Sequence, residues 1–436
     1  MIALVVAMTT VAAFGCTSAA RAEAPAEPAD GATPPPPGQP GDSVEPGKAA
    51  EASEPTAEEL EELRRALGED AGPPEPGASG APAANGSTPP RVSAGSMNPE
   101  MSLIFDAALG WFSSDEPAQL GAHDPNKTGF TFQQLELHAF ANVDPFFRFD
   151  ANLVFSQFGV EVEEAYATTL GLPGQLQVRA GQFLTRFGRK NATHPHSWSF
   201  LDQPLVLGKF FGGESGRGLG IELSWLVPVS WYLEVVGSMN DAAGECCARS
   251  MLGGRDLGVN GIEDFVYSLM VKQFWELGRD WGLNLGLSVQ TGPNASGLGN
   301  RTLIGGLDLY LRWRPRASAG RTSVDLTVEV MARARELPGR NARDVGGFAE
   351  LRWLIDQEWA VALRHEAVSG LQDDPLDPEW TETRQRSAVV LDFYPSHFSR
   401  LRLQLGADDK GWEDEVGLMA LLGLEVVVGA HGSHGY

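Results

Sequence analysis

The chain has 436 residues, 42% of them hydrophobic and 9% aromatic, so its composition allows a large folded unit. The formal net charge of -24 comes without basic clusters, which argues against nucleic acid as a partner. The three cysteines, Cys16, Cys246 and Cys247, are too few for a disulfide framework and lack the spacing of a metal finger.

The N-terminus has the pattern of an export signal. Residues 2–15 form an apolar stretch of signal-peptide length. Cleavage at the small-residue site that ends at Ala22 gives a mature chain starting at Glu23, whereas an atypical lipobox makes Cys16 the lipidated residue. We predict a signal peptide over 1–22, and the lipidation of Cys16 stays open.

The segment 23–99 is rich in proline, alanine, glutamate and glycine. Such a sequence cannot bury enough apolar surface to offset the entropy lost on folding, so we predict a disordered periplasmic segment. Within it, Thr56 and Glu59 form a capping-box pattern ahead of leucines that share one helix face, which predicts a short helix over 57–67.

From residue 100 onward, apolar and polar residues alternate in segments of about ten residues, as in the strands of a membrane β-barrel. Phe147 and Phe149, for example, alternate with Arg148 and Asp150. No apolar run after residue 15 approaches the roughly 18 residues that a transmembrane helix needs. The alternation predicts sixteen strands, at about 101–112, 129–143, 146–157, 160–171, 175–186, 218–226, 230–239, 264–275, 281–291, 302–313, 321–334, 346–354, 359–368, 386–394, 399–407 and 416–429.

The breaks between these segments alternate in length. The long breaks, at about 113–128, 188–217, 240–263 and 370–385, follow odd-numbered strands, and all breaks after even-numbered strands are short. Tryptophan favours the lipid–water interface, and the tryptophans that border short breaks are Trp225, Trp231, Trp275, Trp281, Trp313, Trp353 and Trp359. The sequence therefore predicts an all-β, 16-stranded antiparallel transmembrane barrel over 100–436, with its long loops on the outer side.

The second face of the strands carries many charged side chains. A dry core does not tolerate so many charges, whereas a water-filled lumen does, which argues against a soluble sandwich or propeller. The lumen is mixed in sign with an acidic surplus. The predicted pore-lining residues are Arg148, Asp150, Arg179, Glu222, Glu234, Lys272, Asp308, Arg312, Glu350, Arg352, Arg364 and Glu366.

Three stretches resemble the phosphate-selective porin O/P-type superfamily, and similar sequences are also described as zinc-regulated outer-membrane receptors. These stretches are GFTFQQLELHAFANVDPFFRFDANLVF, EEAYATTLGLPGQLQVRAGQFLTRFGRKNATHPHSWSFLDQPL and the terminal GAHGSHGY. The resemblance implies a sixteen-stranded outer-membrane channel, with a homotrimer as a candidate assembly, and it leaves the solute open.

The break at 188–217 is the third outer loop in this count, the loop that folds inward in general porins. A loop of this length in a compact fold is usually functional. Its charged residues and their neighbours are the predicted pore constriction, in which cations facing lumen carboxylates create a transverse field. These residues are Arg186, Arg189, Lys190, His194, His196, Asp202 and Lys209. The alternative, that the loop charges only pair with the wall, is compatible with a constriction.

Histidine spacing gives only weak metal signals. His194 and His196, together with Asp202, are weak candidates, as are His431 and His434, and structural hydrogen bonding is the preferred interpretation. We therefore predict no metal and no cofactor.

Two further features leave alternatives open. Cys246 and Cys247 are either free thiols or a vicinal disulfide. The acidic stretches 373–382 and 408–415 are either a solvated surface or a site for divalent cations that bridge lipopolysaccharide. No spacing singles out a nucleophile with a base, so catalysis is not expected.

The sequence thus predicts a porin of the bacterial outer membrane, a passive diffusion channel for small hydrophilic solutes or ions whose selectivity is set by the 188–217 loop. Its predicted partners are outer-membrane lipid, lipopolysaccharide and the solute. The alternative is a metal-linked, in particular zinc-linked, outer-membrane receptor or uptake protein.

Overall fold

The computed structural model describes residues 98–114, 119–157, 159–244, 246–255, 259–318 and 320–429. The predicted signal peptide and the predicted helix at 57–67 lie outside these residues. So do His431 and His434 and nearly all of the predicted disordered segment.

Sixteen β-strands dominate the described residues, as predicted. They are β1 (Glu100–Phe112), β2 (Gly129–Asn142), β3 (Phe147–Ser156), β4 (Gly159–Thr169), β5 (Leu176–Leu184), β6 (Arg217–Leu226), β7 (Tyr232–Asn240), β8 (Val266–Leu277), β9 (Trp281–Pro293), β10 (Arg301–Trp313), β11 (Ser323–Leu337), β12 (Arg340–Leu354), β13 (Trp359–Val368), β14 (Arg384–Ser396), β15 (Ser399–Lys410) and β16 (Gly417–Gly429).

Each strand pairs antiparallel with its neighbours in sequence, and the sheet closes on itself. Closure joins β1 to β16, with a register that runs from Ser102 opposite Gly429 to Phe112 opposite Met419. A closed barrel leaves no strand edge unpaired, which is the condition for a β-structure inside lipid. The predicted 16-stranded antiparallel barrel is confirmed.

The strands have the alternation that the sequence shows. On β10, Leu303 and Leu307 are about half exposed, at 49% and 51%, whereas Thr302, Ile304 and Asp308 are buried. The apolar side chains therefore form the outer surface, and the polar side chains face the interior.

The lengths of the connections also follow the predicted parity. The long connections, 113–128, 185–216, 241–265 and 369–383, all follow odd-numbered strands. One boundary was wrong, because β11 and β12 continue to a two-residue turn at Pro338 and Gly339 in place of the predicted loop. Their ends carry charged residues on both faces, so the apolar alternation stops before the hydrogen-bonded ladder does.

The regular helices are short. The one α-helix among the described residues is α1 (Leu205–Phe210), which lies within the 185–216 connection and follows Pro204. In the part of the chain that the structure describes, no helix has the length and apolar character needed to cross a membrane.

Tryptophans mark the end of the barrel with the short connections. Trp225, Trp231, Trp281, Trp353 and Trp359 are 38–48% exposed there. Trp281 and Trp313 lie opposite each other on β9 and β10, with ring centroids 6.4 Å apart. This is the arrangement of an interfacial girdle.

We expect Leu307→Arg to destabilise the barrel by about 2–4 kcal/mol, because it places a charge in the middle of the lipid-facing surface. Urea unfolding in lipid bilayers measures this change. The matched control is Leu298→Arg, since Leu298 is 95% exposed in the connection between β9 and β10. An equal loss for the two variants would contradict the assignment of the outer face.

Candidate functional site

The connection between β5 and β6, residues 185–216, is called the long loop here, and Asn191 closes its base. The side-chain nitrogen of Asn191 donates to the carbonyl oxygens of Thr185 (2.7 Å) and Gly216 (2.9 Å). The side-chain oxygen accepts from the N–H of Gly216 at 2.6 Å. Because Asn191 is fully buried, both ends of the loop are held together at one place.

The first part of the long loop contacts β11 and β12. The N–H groups of Arg189 and Lys190 donate to Glu329 Oε1 at 3.1 and 2.6 Å, and Lys190 Nζ lies 3.3 Å from Glu350 Oε2. Gly188 precedes them with a φ of +60°, and a Cβ there would lie 2.5 Å from Glu329 Oε2. Glycine therefore permits the close approach of the loop backbone to the wall.

Two histidines fix the middle of the loop to β2 and β4. His194 Nδ1 lies 2.9 Å from Glu163 Oε2, and His194 Nε2 lies 3.0 Å from Glu164 Oε2. His196 Nδ1 lies 3.0 Å from Glu136 Oε2. Burial disfavours the charged imidazole, but the carboxylates outweigh it and raise the pKa of His196, and that of His194 well above its usual value. These five residues are called the histidine–glutamate cluster below.

Asp202 fixes the loop to β13, β14 and β15. Its carboxylate accepts hydrogen bonds of 2.7 Å from Arg364, Arg386 and Gln404. Asp202 is fully buried, and although burial disfavours its charge, the two guanidinium groups hold its pKa below the usual value. The N–H of Leu205 also donates to Glu366 Oε2 at 2.6 Å.

Helix α1 packs in an apolar cluster whose side chains come from the long loop, from the 241–265 and 369–383 connections and from several strands. The cluster contains Phe187, Leu205, Val206, Leu207, Phe210, Phe211, Ala242, Ala248, Met251, Leu252, Val266, Ile304, Met331, Phe348, Val368 and Trp380. Lys209 is buried beside it, where Nζ donates to the Ser369 carbonyl at 2.7 Å and lies 3.5 Å from Asp344. Burial lowers the pKa of Lys209. Side chains therefore fill much of the interior near the long connections.

A cavity of about 270 Å³ remains between the long loop and β7, β8 and β10. It is lined by Arg186, Gly188, Arg189, Ala192, Thr193, Tyr232, Glu234, Met270, Lys272 and Asp308. Charged groups of both signs therefore border this space.

The two arginines of the cavity are held in place by the wall. Arg186 forms ion pairs with Glu222 (2.6 Å) and Glu234 (2.7 Å), and the Arg189 guanidinium lies 3.7 Å from the centre of the Tyr310 ring.

Lys272 and Asp308 differ from these arginines. Among the described residues, Lys272 has no ion pair, and the buried Asp308 Oδ2 has no hydrogen-bond partner. The charges of these two side chains are therefore less neutralised by other protein groups than the charge of Arg186.

The remaining predicted wall residues divide into two groups. Arg148 pairs with Asp150 at 2.6 Å, Arg179 with Glu222 at 2.9 Å and Arg312 with Asp325 at 2.6 Å, and Arg352 donates to the Tyr394 hydroxyl at 3.1 Å. By contrast, Glu350, Arg364 and Glu366 are at most 5% exposed, because the long loop covers them. Glu222, which pairs with Arg186 of the long loop, is only 1% exposed as well, so these four side chains contact the loop, and the pore-lining role of the whole set stays a prediction.

Sequence reasoning missed most of the wall partners of the histidines. Glu163 and Glu164 are adjacent, so a regular strand would direct them to opposite faces. An irregularity in the β3–β4 pairing places Asn152 opposite Glu164 and Leu153 opposite Val162, which leaves Glu163 as an extra residue. Both carboxylates are buried as a result. The sequence signal for this irregularity was the pair of adjacent acids in a strand that otherwise alternates.

Two alternatives from the sequence are resolved by the contacts. A metal site formed by His194, His196 and Asp202 would need the Asp202 carboxylate beside the two imidazoles. Instead, Asp202 binds Arg364 and Arg386. Cys246 and Cys247 form a disulfide, and the Cys246 carbonyl accepts from the N–H of Glu214 in the long loop at 3.1 Å.

The acidic stretches are partly paired. Asp374 contacts Arg335 and Asp377 contacts Arg249, both at 2.5 Å.

The fold is that of outer-membrane channels and porins. The high pH structure of OprB of Pseudomonas putida has a TM-score of 0.53 and 10% identity over 76% of this chain and 94% of that one. The outer membrane channel DcaP of Acinetobacter baumannii has a TM-score of 0.53 and 11% identity over 77% and 99%. An anion-selective porin from Comamonas acidovorans has a TM-score of 0.51 and 11% identity over 76% and 99%.

A sequence relative defines the family more narrowly. An uncharacterized protein of Aquifex aeolicus (strain VF5) is 30% identical over 352 residues, which cover 71% of this chain and 70% of that protein. The chain belongs to the same family as this protein. No model of a known protein family matches the sequence.

We expect Asp202→Asn to destabilise the protein by about 3–5 kcal/mol at pH 7, because it removes the carboxylate that two buried guanidinium groups share, Arg364 and Arg386. The folded-state pKa of Asp202 is lowered, so its contribution is complete above its unfolded pKa of about 3.9 and is lost as the pH falls through the folded value. Urea unfolding at a series of pH values measures both effects.

The control for this experiment is Glu379→Gln, which removes an acid from an exposed position. It should leave the stability unchanged. A difference between wild type and Asp202→Asn that grows as the pH falls would contradict the role of the charged carboxylate.

Proposed function

We propose that this protein is a porin of the outer membrane, a passive channel for small hydrophilic solutes or ions. The observation that carries the proposal is the cavity beside the long loop, bordered by Arg186, Arg189, Lys272 and Asp308, inside a closed porin-type barrel. We also propose that the chain has the architecture of the phosphate-selective porin O/P type. The charges that border this cavity then determine which class of solute passes.

The long loop is the proposed constriction. Its residues Arg189, Lys190, His194, His196, Asp202 and Lys209 all contact inward-facing or cluster residues, so the loop keeps one position. A fixed loop defines the width of the remaining space, and fixed charges on its two sides create a transverse field. Arg189 on the loop side, and Glu234, Lys272 and Asp308 on the strand side, are the charges that a passing solute meets.

The proposed environment follows from the same architecture. The outward apolar side chains and the tryptophan girdle suit outer-membrane lipid, and exposed polar groups at the long-connection end suit lipopolysaccharide. A homotrimer is the proposed assembly, in keeping with the resemblance to trimeric porins.

Channel activity is tested by adding the purified protein to planar lipid bilayers. The proposal expects stepwise increases in conductance. A correctly folded barrel that gives no conductance at any voltage would refute it.

We expect Lys272→Glu to increase the ratio of cation to anion permeability severalfold, because it reverses a charge that has no ion-pair partner among the described residues. The reversal potential across a salt gradient measures this ratio. The control is Arg343→Glu, which makes the same change of charge on the exposed outer side of β12. If the two variants shift the reversal potential equally, ions do not pass the cavity.

A further inference from the structure

The region around the histidine–glutamate cluster concentrates histidine. The chain has eight histidines, and His123, His138, His194 and His196 lie in this region. His123 and Glu163 line one small cavity. His138 lies opposite Asn152 in the β2–β3 register, and Asn152 Nδ2 is 2.9 Å from His194 Nε2.

The donor atoms of the cluster converge. The ligand atoms of Glu136, Glu163 and His194 all lie within 4.8 Å of one another. The two imidazole rings are stacked, with centroids 5.7 Å apart and planes inclined by 4°. His196 Nδ1 lies 3.0 Å from Glu136 Oε2, so it provides a fourth donor at the edge of the same group. Two nitrogens and two carboxylates are a common donor set for divalent transition metals.

Glu164 has the position of an outer-shell partner. It accepts from the Leu184 N–H at 2.8 Å, which fixes its carboxylate, and its Oε2 lies 3.0 Å from His194 Nε2. A metal-binding histidine typically donates its second ring N–H to such a carboxylate, which orients the ring and strengthens the ligand. His194 therefore directs Nδ1 toward Glu163, while Glu164 holds its other nitrogen.

Charge and burial favour a cation at this place. All five residues of the cluster are at most 6% exposed, and three carboxylates face two imidazoles. Carboxylates buried in excess need positive charge close by. A small cavity lined by His123, Glu163, Thr193 and Glu214 lies beside the cluster.

We propose that the histidine–glutamate cluster is a binding site for a divalent transition-metal ion such as Zn²⁺ or Co²⁺, with His194, His196, Glu163 and Glu136 as ligands. The site lies between the long loop and β2 and β4, and none of its four ligands lines the cavity at Lys272, so metal binding is tested separately from channel activity. A second group of potential ligands among the described residues, Glu214 with Cys246 and Cys247, is unsuitable because the two sulfurs are joined in the disulfide.

The test is a titration with Co²⁺ of the full chain, stripped with a chelator, in detergent and without a polyhistidine tag. His431→Gln and His434→Gln are present in every sample, so that the terminal histidines do not contribute. We expect one Co²⁺ per chain, with visible d–d absorption that Zn²⁺ abolishes, and release of protons on binding. Absence of binding would overturn the proposal.

Variants locate the site. His194→Gln and Glu163→Gln should abolish the d–d absorption, and Glu164→Gln, which keeps all four ligands, should weaken Co²⁺ binding by about 10–100-fold. Glu164→Gln also serves if the ligand variants do not fold. The control is His365→Gln on β13, where His365 is exposed and its Nδ1 lies 2.9 Å from the Ser387 hydroxyl. Binding that is unchanged in Glu164→Gln, or reduced equally in His365→Gln, would refute the assignment.

Discussion

The pairing of β1 with β16 is the constraint from which the rest of the structure follows. Because the first and last strands complete each other's hydrogen bonds, every strand has a neighbour on both sides, as lipid requires. Closure divides the side chains into an apolar outer set and a polar inner set. The inner set then supplies the partners for the backbone and charges of the long loop, which could not otherwise be buried.

The long loop is held by charge at several separate strands. Glu329 and Glu350 bind its first part, the histidine–glutamate cluster its middle, and the arginines that surround Asp202 its later part. Each contact compensates a group that would be costly to bury alone, so the loop and the wall stabilise each other. The space at Lys272 and Asp308 is what this arrangement leaves open, and its width is therefore a property of the whole interior.

The barrel was predictable from the sequence because lipid imposes a regular, repeated pattern. Alternation on single strands such as β10 and the parity of the connections are both local signals, and both were correct. The partners within the interior were not predictable, because Asp202 and Arg386 are 184 residues apart and no periodicity relates them. Glu163 was missed for a different reason, since the irregularity that turns it inward depends on the pairing with β3.

The 241–265 connection has a consequence for how this family can vary. The Cys246 carbonyl lies where a Cβ on Gly212 would come within 2.2 Å, and the N–H of Arg249 donates to the Phe211 carbonyl at 3.0 Å. Surface connections of barrels ordinarily accumulate substitutions and insertions freely. Here a change near Arg249 also affects the contacts that this connection makes with the end of the long loop. Substitutions and insertions at this end of the barrel should therefore concentrate in other connections. One example is 294–300, which contains the 95% exposed Leu298.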